Sequence, residues 1–337
     1  MATIPTLEQI RSRERFSQTS REEIDREAAD DESKSNSQSS LWSTIRGYIL
    51  NINYRYTVSD NHIMLFEWDM HDLWYLFVQT AKITNADDPA QDRLVDQLLY
   101  AREMGTIRRR TTGTDEEAIT SDGLRIWTDL PYLAEDMREV WEKSMDMSPN
   151  HRHNFAAFTA RLPALGVCDT GLSLCALWLL REALETPRQL TRPENGDKVS
   201  VADMLPACVA WFKYCSHKLL TLAVNNHSFA EVDLHLSAPG ELARNANIEQ
   251  AGFSVSRWLF WRQRFKDISR CEDEQVAKEG RRGFDSMINS GREMGYKIAG
   301  ESKYWAKVEN ALEEELKRSG KNNVSSEDIV IDLDWTE

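Results

Sequence analysis

What most constrains this chain is the recurrence of apolar residues at steps of three and four. Ile63, Phe66, Met70, Leu73, Trp74, Phe77 and Val78 follow that rule, which predicts one stripe of a helix from about residue 62 to 83. Such a stripe has to face a core. The period returns in Leu133, Met137, Val140 and Trp141, in Phe155, Phe158 and Leu162, and in Leu205, Val209, Phe212, Leu219 and Leu222. It returns again in Trp258, Trp261, Phe265 and Ile268, in Val276, Phe284, Met287 and Ile288, and in Trp305, Val308, Leu312 and Leu316. Alternation with period two is sustained only at the extreme C-terminus. The predicted fold is therefore all-α, a single irregular multi-helix domain of about nine to eleven helices.

Punctuation between the stripes agrees with this reading. Asp88-Pro89 predicts a cap followed by a first-turn proline, ahead of inward Leu94, Val95, Leu98 and Leu99. A third helix is expected to open near Asp129-Leu130-Pro131, and Pro163 to end the stripe that holds Phe155. Ser200 and Asp203 have capping-box spacing, with Pro206 expected to kink or delay the first turns, and Ser254 caps the helix of Trp258. Gly320-Lys321-Asn322-Asn323 stops the last helix. Leu172 to Leu184 is apolar almost all round, the pattern of a central helix covered by its neighbours. No fixed repeat period emerges, so a solenoid is not predicted.

The ends differ from the middle. From Ser17 to Ser40 the only apolar residues are Ile24, Ala28 and Ala29, too few to offset the entropy of ordering. Residues 1–40 are expected to form a disordered or transiently helical arm, residues 41–319 the helical domain, and residues 320–337 an acidic tail that could hold a short strand.

A formal net charge of −14 opposes a nucleic-acid backbone, whose binding draws on Lys and Arg. The longest basic run, Arg108-Arg109-Arg110, lies in a polar stretch from about 106 to 122 that reads as a solvated surface loop. The five Cys have no metal-site spacing. Cys168 and Cys175, like Cys208 and Cys215, lie a helical rise of about 10.5 Å apart if each pair shares a helix, too far for a disulfide. Reduced thiols, no apolar leader and no run long enough for a membrane span lead to an expected cytoplasmic or nuclear setting.

Three segments carry a resemblance: Asn154-Phe155-Ala156-Ala157-Phe158-Thr159-Ala160-Arg161-Leu162, Leu177-Trp178-Leu179-Leu180-Arg181-Glu182-Ala183-Leu184-Glu185, and Phe253-Ser254-Val255-Ser256-Arg257-Trp258-Leu259-Phe260-Trp261. In this order they resemble a fungal family catalogued as domain of unknown function 3632. The likeness implies a fungal source and an intracellular helical domain, and it implies no activity. His151-Arg152-His153 stands where the family pattern leads one to expect a tryptophan. Read physically, Arg181 and Glu185 are four apart on an apolar helix, so at least one charge points into protein and needs a partner. Arg161 and Arg257 sit beside aromatic stripes in the same way. Arg161, Arg181, Glu182, Glu185, Arg257, Trp258 and Trp261 are thus candidates either for structural ion pairs with stacked guanidinium groups or for an anion-binding cluster.

No complete catalytic signature is present. Asp87-Asp88-Pro89-Ala90-Gln91-Asp92 has the look of a magnesium-binding aspartate motif but precedes a proline at a helix start, which suits a cap. His151 and His153 diverge by about 200° on a helix and do not suit zinc. Glu67 and His71 share a helix face but lack the second Glu/His helix that a di-metal site needs. Neither a metal nor another cofactor is expected. The sharpest signal is Ser325-Ser326-Glu327-Asp328-Ile329-Val330-Ile331-Asp332-Leu333-Asp334. Its core, Ile329, Val330, Ile331, Asp332 and Leu333, resembles a SUMO-interacting motif, in which an extended apolar peptide adds a strand to a sheet edge while acids meet basic residues; a tail strand docked on its own domain and a free tail are the alternatives. A non-enzymatic protein-interaction module with a SUMO or other ubiquitin-like partner is the leading expectation. The alternative is a small-molecule-binding or metabolic enzyme with an inter-helix cavity around Arg161, Arg181 and Arg257.

Overall fold

The computed structural model describes residues 4–33, 40–111, 114–192, 198–230 and 233–336. They cluster as two compact units, Met1–Leu179 and Leu180–Glu337, and each is described by itself. The fold is all-α, with thirteen α-helices among the described residues, two of them only four and five residues long.

In the first unit α1 (Leu7–Ser33), α2 (Ser40–Val58), α3 (Ile63–Ile83) and α4 (Ala90–Glu103) precede a hairpin of β1 (Arg108–Thr111) and β2 (Thr114–Glu117). Then come α5 (Leu133–Glu142), α6 (Pro149–Ala164) and α7 (Asp169–Leu180). The predicted stripe of α3 is its buried face, with Phe66, Met70, Leu73, Trp74, Phe77 and Val78 at most 1% exposed, and α1, α2, α5 and α6 all pack on it. Phe77 stacks on Phe158 and Trp141 on Phe155, contacts worth about 0.5–1.5 kcal/mol each beyond their area. Arg152, in the segment where a tryptophan was expected, is 1% exposed and donates to the carbonyls of Ser144, Met145 and Met147. The apolar segment from Leu172 is buried as its pattern requires.

Two segments of this unit hold more structure than their composition suggests. Residues 7–33, expected in a disordered or transiently helical arm, form α1, which is anchored by buried charge. Arg13 pairs with Asp69 at 2.5 Å and Asp72 at 2.9 Å, Arg21 pairs with Asp72 at 2.9 Å, and Ser17 donates to Asp72. Burial pushes the Asp69 carboxyl upward against the pull of Arg13 and Arg55. The polar stretch after Thr106 is not a plain loop but an antiparallel hairpin in the register Arg108↔Glu117, Arg109↔Glu116, Arg110↔Asp115. Its opposed charges replace the apolar alternation that usually betrays a strand. Arg109 is 1% exposed, donates to the carbonyls of Ser59 and Asn61, and lies over the Tyr56 ring. It is therefore not part of a solvated basic patch.

The second unit opens with one π-helical turn, Arg181–Glu185, and contains α8 (Val201–Val224), α9 (Leu234–Ser237), α10 (Glu241–Asn245), α11 (Val255–Ile268), α12 (Glu274–Met294) and α13 (Glu301–Ser319). The predicted capping box at Ser200 and Asp203 starts α8, and Pro206 is accommodated inside it. Likewise Pro163 lies within α6 rather than ending it, and α5 begins at Leu133, after left-handed Leu130 and Tyr132. Helices α8, α11 and α12 pack together, with Phe212 edge-on to both Trp258 and Phe265. Gly320 is left-handed and closes α13 as predicted. Among the described residues no helix is long and apolar enough to cross a membrane. None of the five Cys, all among the described residues, is in a disulfide; Cys175, Cys208 and Cys215 are buried, whereas Cys168 and Cys271 are half-buried.

Candidate functional site

The arginine motifs do not converge on one site. Arg161 belongs to the first unit, where its Nε meets Asp92 at 2.7 Å and its other donors reach the carbonyls of Ala157 and Ala86. In the second unit the π-helical turn directs neighbouring acids to different arginines. Glu182 takes Arg181 at 3.1 Å and Arg188 at 2.5 Å, and Arg181 also donates to the His235 carbonyl. Glu185 points inward. Glu185 and Arg257 are both 0% exposed and meet at 2.6 Å. The Glu185 carboxylate also accepts from Trp261 Nε1 at 2.6 Å and from the Gly240 amide at 2.6 Å. The remaining Arg257 donors go to the carbonyls of Ser237, Gly252 and Ala238. Gly240 is required by this approach, since a Cβ there would lie 2.7 Å from Glu185. Trp258, one turn from Trp261, packs on Phe212 instead. This cluster closes on itself, which is the geometry of a structural clasp rather than of an anion receptor.

Other residues weighed from sequence also have protein partners. Asp88 accepts from the Ala90 amide as a cap, and His151 Nε2 meets Glu32 at 2.9 Å. Glu67 accepts from the amide and hydroxyl of Ser121. His71 Nδ1 meets Asp136 at 2.8 Å and stacks on Tyr132; burial disfavours the His71 cation, yet Asp136 outweighs it and raises the pKa. No group of three or more metal-binding side chains occurs among the described residues.

The tail docks on its own unit without forming a strand among its described residues. A short 3-10 turn, Ser326–Asp328, is capped by Ser325, and Lys321 meets Asp328 at 2.5 Å. That ammonium and the capping hydrogen bonds hold the Asp328 carboxyl down at about 2. A second turn, Leu333–Thr336, packs on α13. Leu333 is 6% exposed, Trp335 lies against Tyr304, and Asp334 reaches Lys266 at 3.0 Å and Arg270 at 2.6 Å. Between these anchors Ile329 is extended and half-buried, Ile331 is half-buried, and Val330 is 91% exposed beside exposed Asp332. Period two therefore misjudged the segment, because Leu333 and Trp335 serve as anchors of a turn and not as one face of a strand.

A feature that sequence reading missed lies next to the docked tail. Residues from Arg292 to Glu309 line a groove of about 310 Å³ where α12 turns into α13. Glu301 lines it while being only 4% exposed, and neither of its carboxylate oxygens has a hydrogen-bond partner. Its nearest cation is Arg262 Nη1 at 3.6 Å, too long for a hydrogen bond. Burial therefore dominates and pushes the Glu301 carboxyl up to about 7. Four residues along α13, Trp305 lines the same groove and its indole N–H is also buried without a partner. On the other side of Arg262 a smaller concavity of about 210 Å³ is bounded by Phe284, Gly300 and tail residue Thr336. Nothing in the periodicity could reveal Glu301, since it reads as one of many acids in an amphipathic helix.

The architecture defines a class, an irregular all-α protein carrying two compact units and a docked acidic tail. Residues 74–265, more than half of the chain, match the family described as "Protein of unknown function (DUF3632)", and the chain belongs to that family. It is similar to a Penicillium oxalicum protein named "Oxopyrrolidines biosynthesis cluster protein G", with 30% identity over 242 residues. The match covers 67% of this chain and 66% of that relative, just under two thirds of the relative's length. No solved structure matches the chain.

Proposed function

We propose that this chain is a non-enzymatic helical protein-interaction module and that its C-terminal tail is the element a partner reads. The observation that carries the reading is the exposure of Val330, 91%, next to extended Ile329 and between two docked turns. Beta-branched residues held extended, with acids on both sides, suit strand addition to the sheet edge of a ubiquitin-like protein, SUMO in the first instance. A cytoplasmic or nuclear setting goes with that partner. Titrating the full chain with SUMO, with Val330→Ala and Ile331→Ala as controls, tests it. Saturation at about micromolar concentration that both substitutions weaken is expected, and the absence of any saturable shift refutes it.

A second reading, small-molecule binding, has the groove beside Glu301 in its favour, together with the relative's name, which places that protein in a biosynthesis cluster. The sealed Glu185–Arg257 clasp argues against centring such a site on the arginine motifs.

A further inference from the structure

The tail residues that a partner would read are also the residues that hold the tail down. A strand alternates its side chains, so strand addition would put Ile329, Ile331 and Leu333 on one face and Val330 and Asp332 on the other. The docked tail already uses that alternation. Leu333 is 6% exposed and Ile329 and Ile331 are half-buried, whereas Val330 and Asp332 are exposed. The backbone is engaged as well. Arg281 Nη1 donates to the Ile331 carbonyl at 3.4 Å, the Trp335 amide donates to the Asp332 carbonyl at 3.2 Å, and Leu333 opens a 3-10 turn that runs to Thr336. A sheet edge, by contrast, pairs with an extended backbone whose carbonyls are available to it. The flanking acids are likewise paired, Asp328 with Lys321 and Asp334 with Lys266 and Arg270.

We infer that the docked tail is autoinhibitory: Ile331, Leu333 and Asp334 hold it on its own unit through the groups a strand-adding partner needs, so docking and full engagement exclude each other. The inference rests on the reading of the tail as a partner-binding element and adds its regulation. Val330, 91% exposed, is the handle for first contact. Completing the strand then requires the turn Leu333–Thr336 to come off α13, on which it packs. Apparent affinity falls in proportion to the fraction of chains whose tail is released. Each contact that favours docking therefore weakens partner binding, and a substitution that loosens the dock without touching residues 329–333 strengthens it. Two positions meet that condition. Arg270 belongs to the folded unit and is 50% exposed where it meets Asp334. Trp335 lies two residues beyond the motif, with its ring 6.4 Å from that of Tyr304. The Arg270–Asp334 pair is solvated on both sides, a kind of contact that contributes modestly and lets go without unfolding the helices beneath it.

The test titrates full-length native, Arg270→Glu, Arg270→Lys and Trp335→Ala chains with SUMO and follows hydrogen exchange at the Asp334 and Trp335 positions in the free and saturated states. Arg270→Glu replaces an exposed ion pair by a repulsion and should bind about fivefold more tightly than the native chain. Trp335→Ala should gain at least as much, and Arg270→Lys, which keeps the charge, should stay near the native affinity. Exchange at 334 and 335 should speed up in free Arg270→Glu and Trp335→Ala, and in the native chain once SUMO saturates it. Native affinity in both loosened variants, with their exchange already faster, would overturn the inference and leave the partner reading standing. Saturation of the native chain with positions 334 and 335 still protected would do the same. If none of the four chains gives a saturable shift, the partner reading falls and this inference with it. Protection in α8, α11 and α12, read in the same experiment, separates release of the tail from unfolding of the unit.

Discussion

Replacing Glu185 by methionine should cost the second unit about 4 kcal/mol of folding stability, the range expected when one member of a buried ion pair is removed. The methionine has similar volume and no polar atoms, so little of the loss comes from packing. Three consequences follow in the core. Arg257 keeps a full charge at 0% exposure with carbonyl oxygens as its only partners. Trp261 Nε1 and the Gly240 amide each lose a short acceptor at 2.6 Å. An orphaned buried donor alone costs about 1–3 kcal/mol, and the losses overlap because the four hydrogen bonds share one carboxylate. Arg257→Met should cost a similar amount by stranding the Glu185 charge. The double variant should lose less than the sum of the two by about 2–3 kcal/mol, since neither uncompensated charge survives. Urea unfolding of the full chain, followed by tryptophan fluorescence and by circular dichroism, reads these values, with transitions for the two units fitted separately if they part. A loss below about 1 kcal/mol for Glu185→Met, or strict additivity in the double variant, would refute the clasp as the organising contact of this unit.

Further expectations concern pH, the tail and the first helix. The folded pKa of Glu301, about 7 against an ordinary 4.5, means that the folded state holds its proton longer than the unfolded chain. Stability should therefore fall as pH rises from 4.5 to 7, by up to about 3 kcal/mol; Glu301→Gln should flatten that slope in urea midpoints taken across the window, and an unchanged slope would assign it elsewhere. Leu333→Ala should detach the tail without unfolding α8, α11 and α12, because the anchor belongs to a terminal turn. Hydrogen exchange should then speed up over residues 321–336 alone, and global loss of protection would contradict this. Asp72→Ala leaves Arg13 with Asp69 alone and removes partners of Ser17 and Arg21, so α1 should become sensitive to trypsin at Arg13, Arg15 and Arg21, while equal resistance in native and variant chains would count against the charge anchor.

What the order of residues determined alone is the helical class, the inward faces and most of the helix ends. These depend on neighbours within one or two turns, and so Phe66 to Val78, the capping box at Ser200 and the stop at Gly320 could be read directly. The family resemblance was also legible, from the order of three motifs. Only tertiary structure decided what the charged residues do, because a charge finds its partner across the fold and not along it. Asp69 and Asp72 look like surface residues until Arg13 arrives from 56 and 59 positions away, and that meeting turns a polar arm into α1. Arg108, Arg109 and Arg110 look like a solvated patch until Asp115, Glu116 and Glu117 fold back on them. Glu185 and Arg257 became a clasp and Glu301 a buried acid facing Arg262 without a hydrogen bond for the same reason: burial and partner, not residue type, set the energy of an ionised side chain.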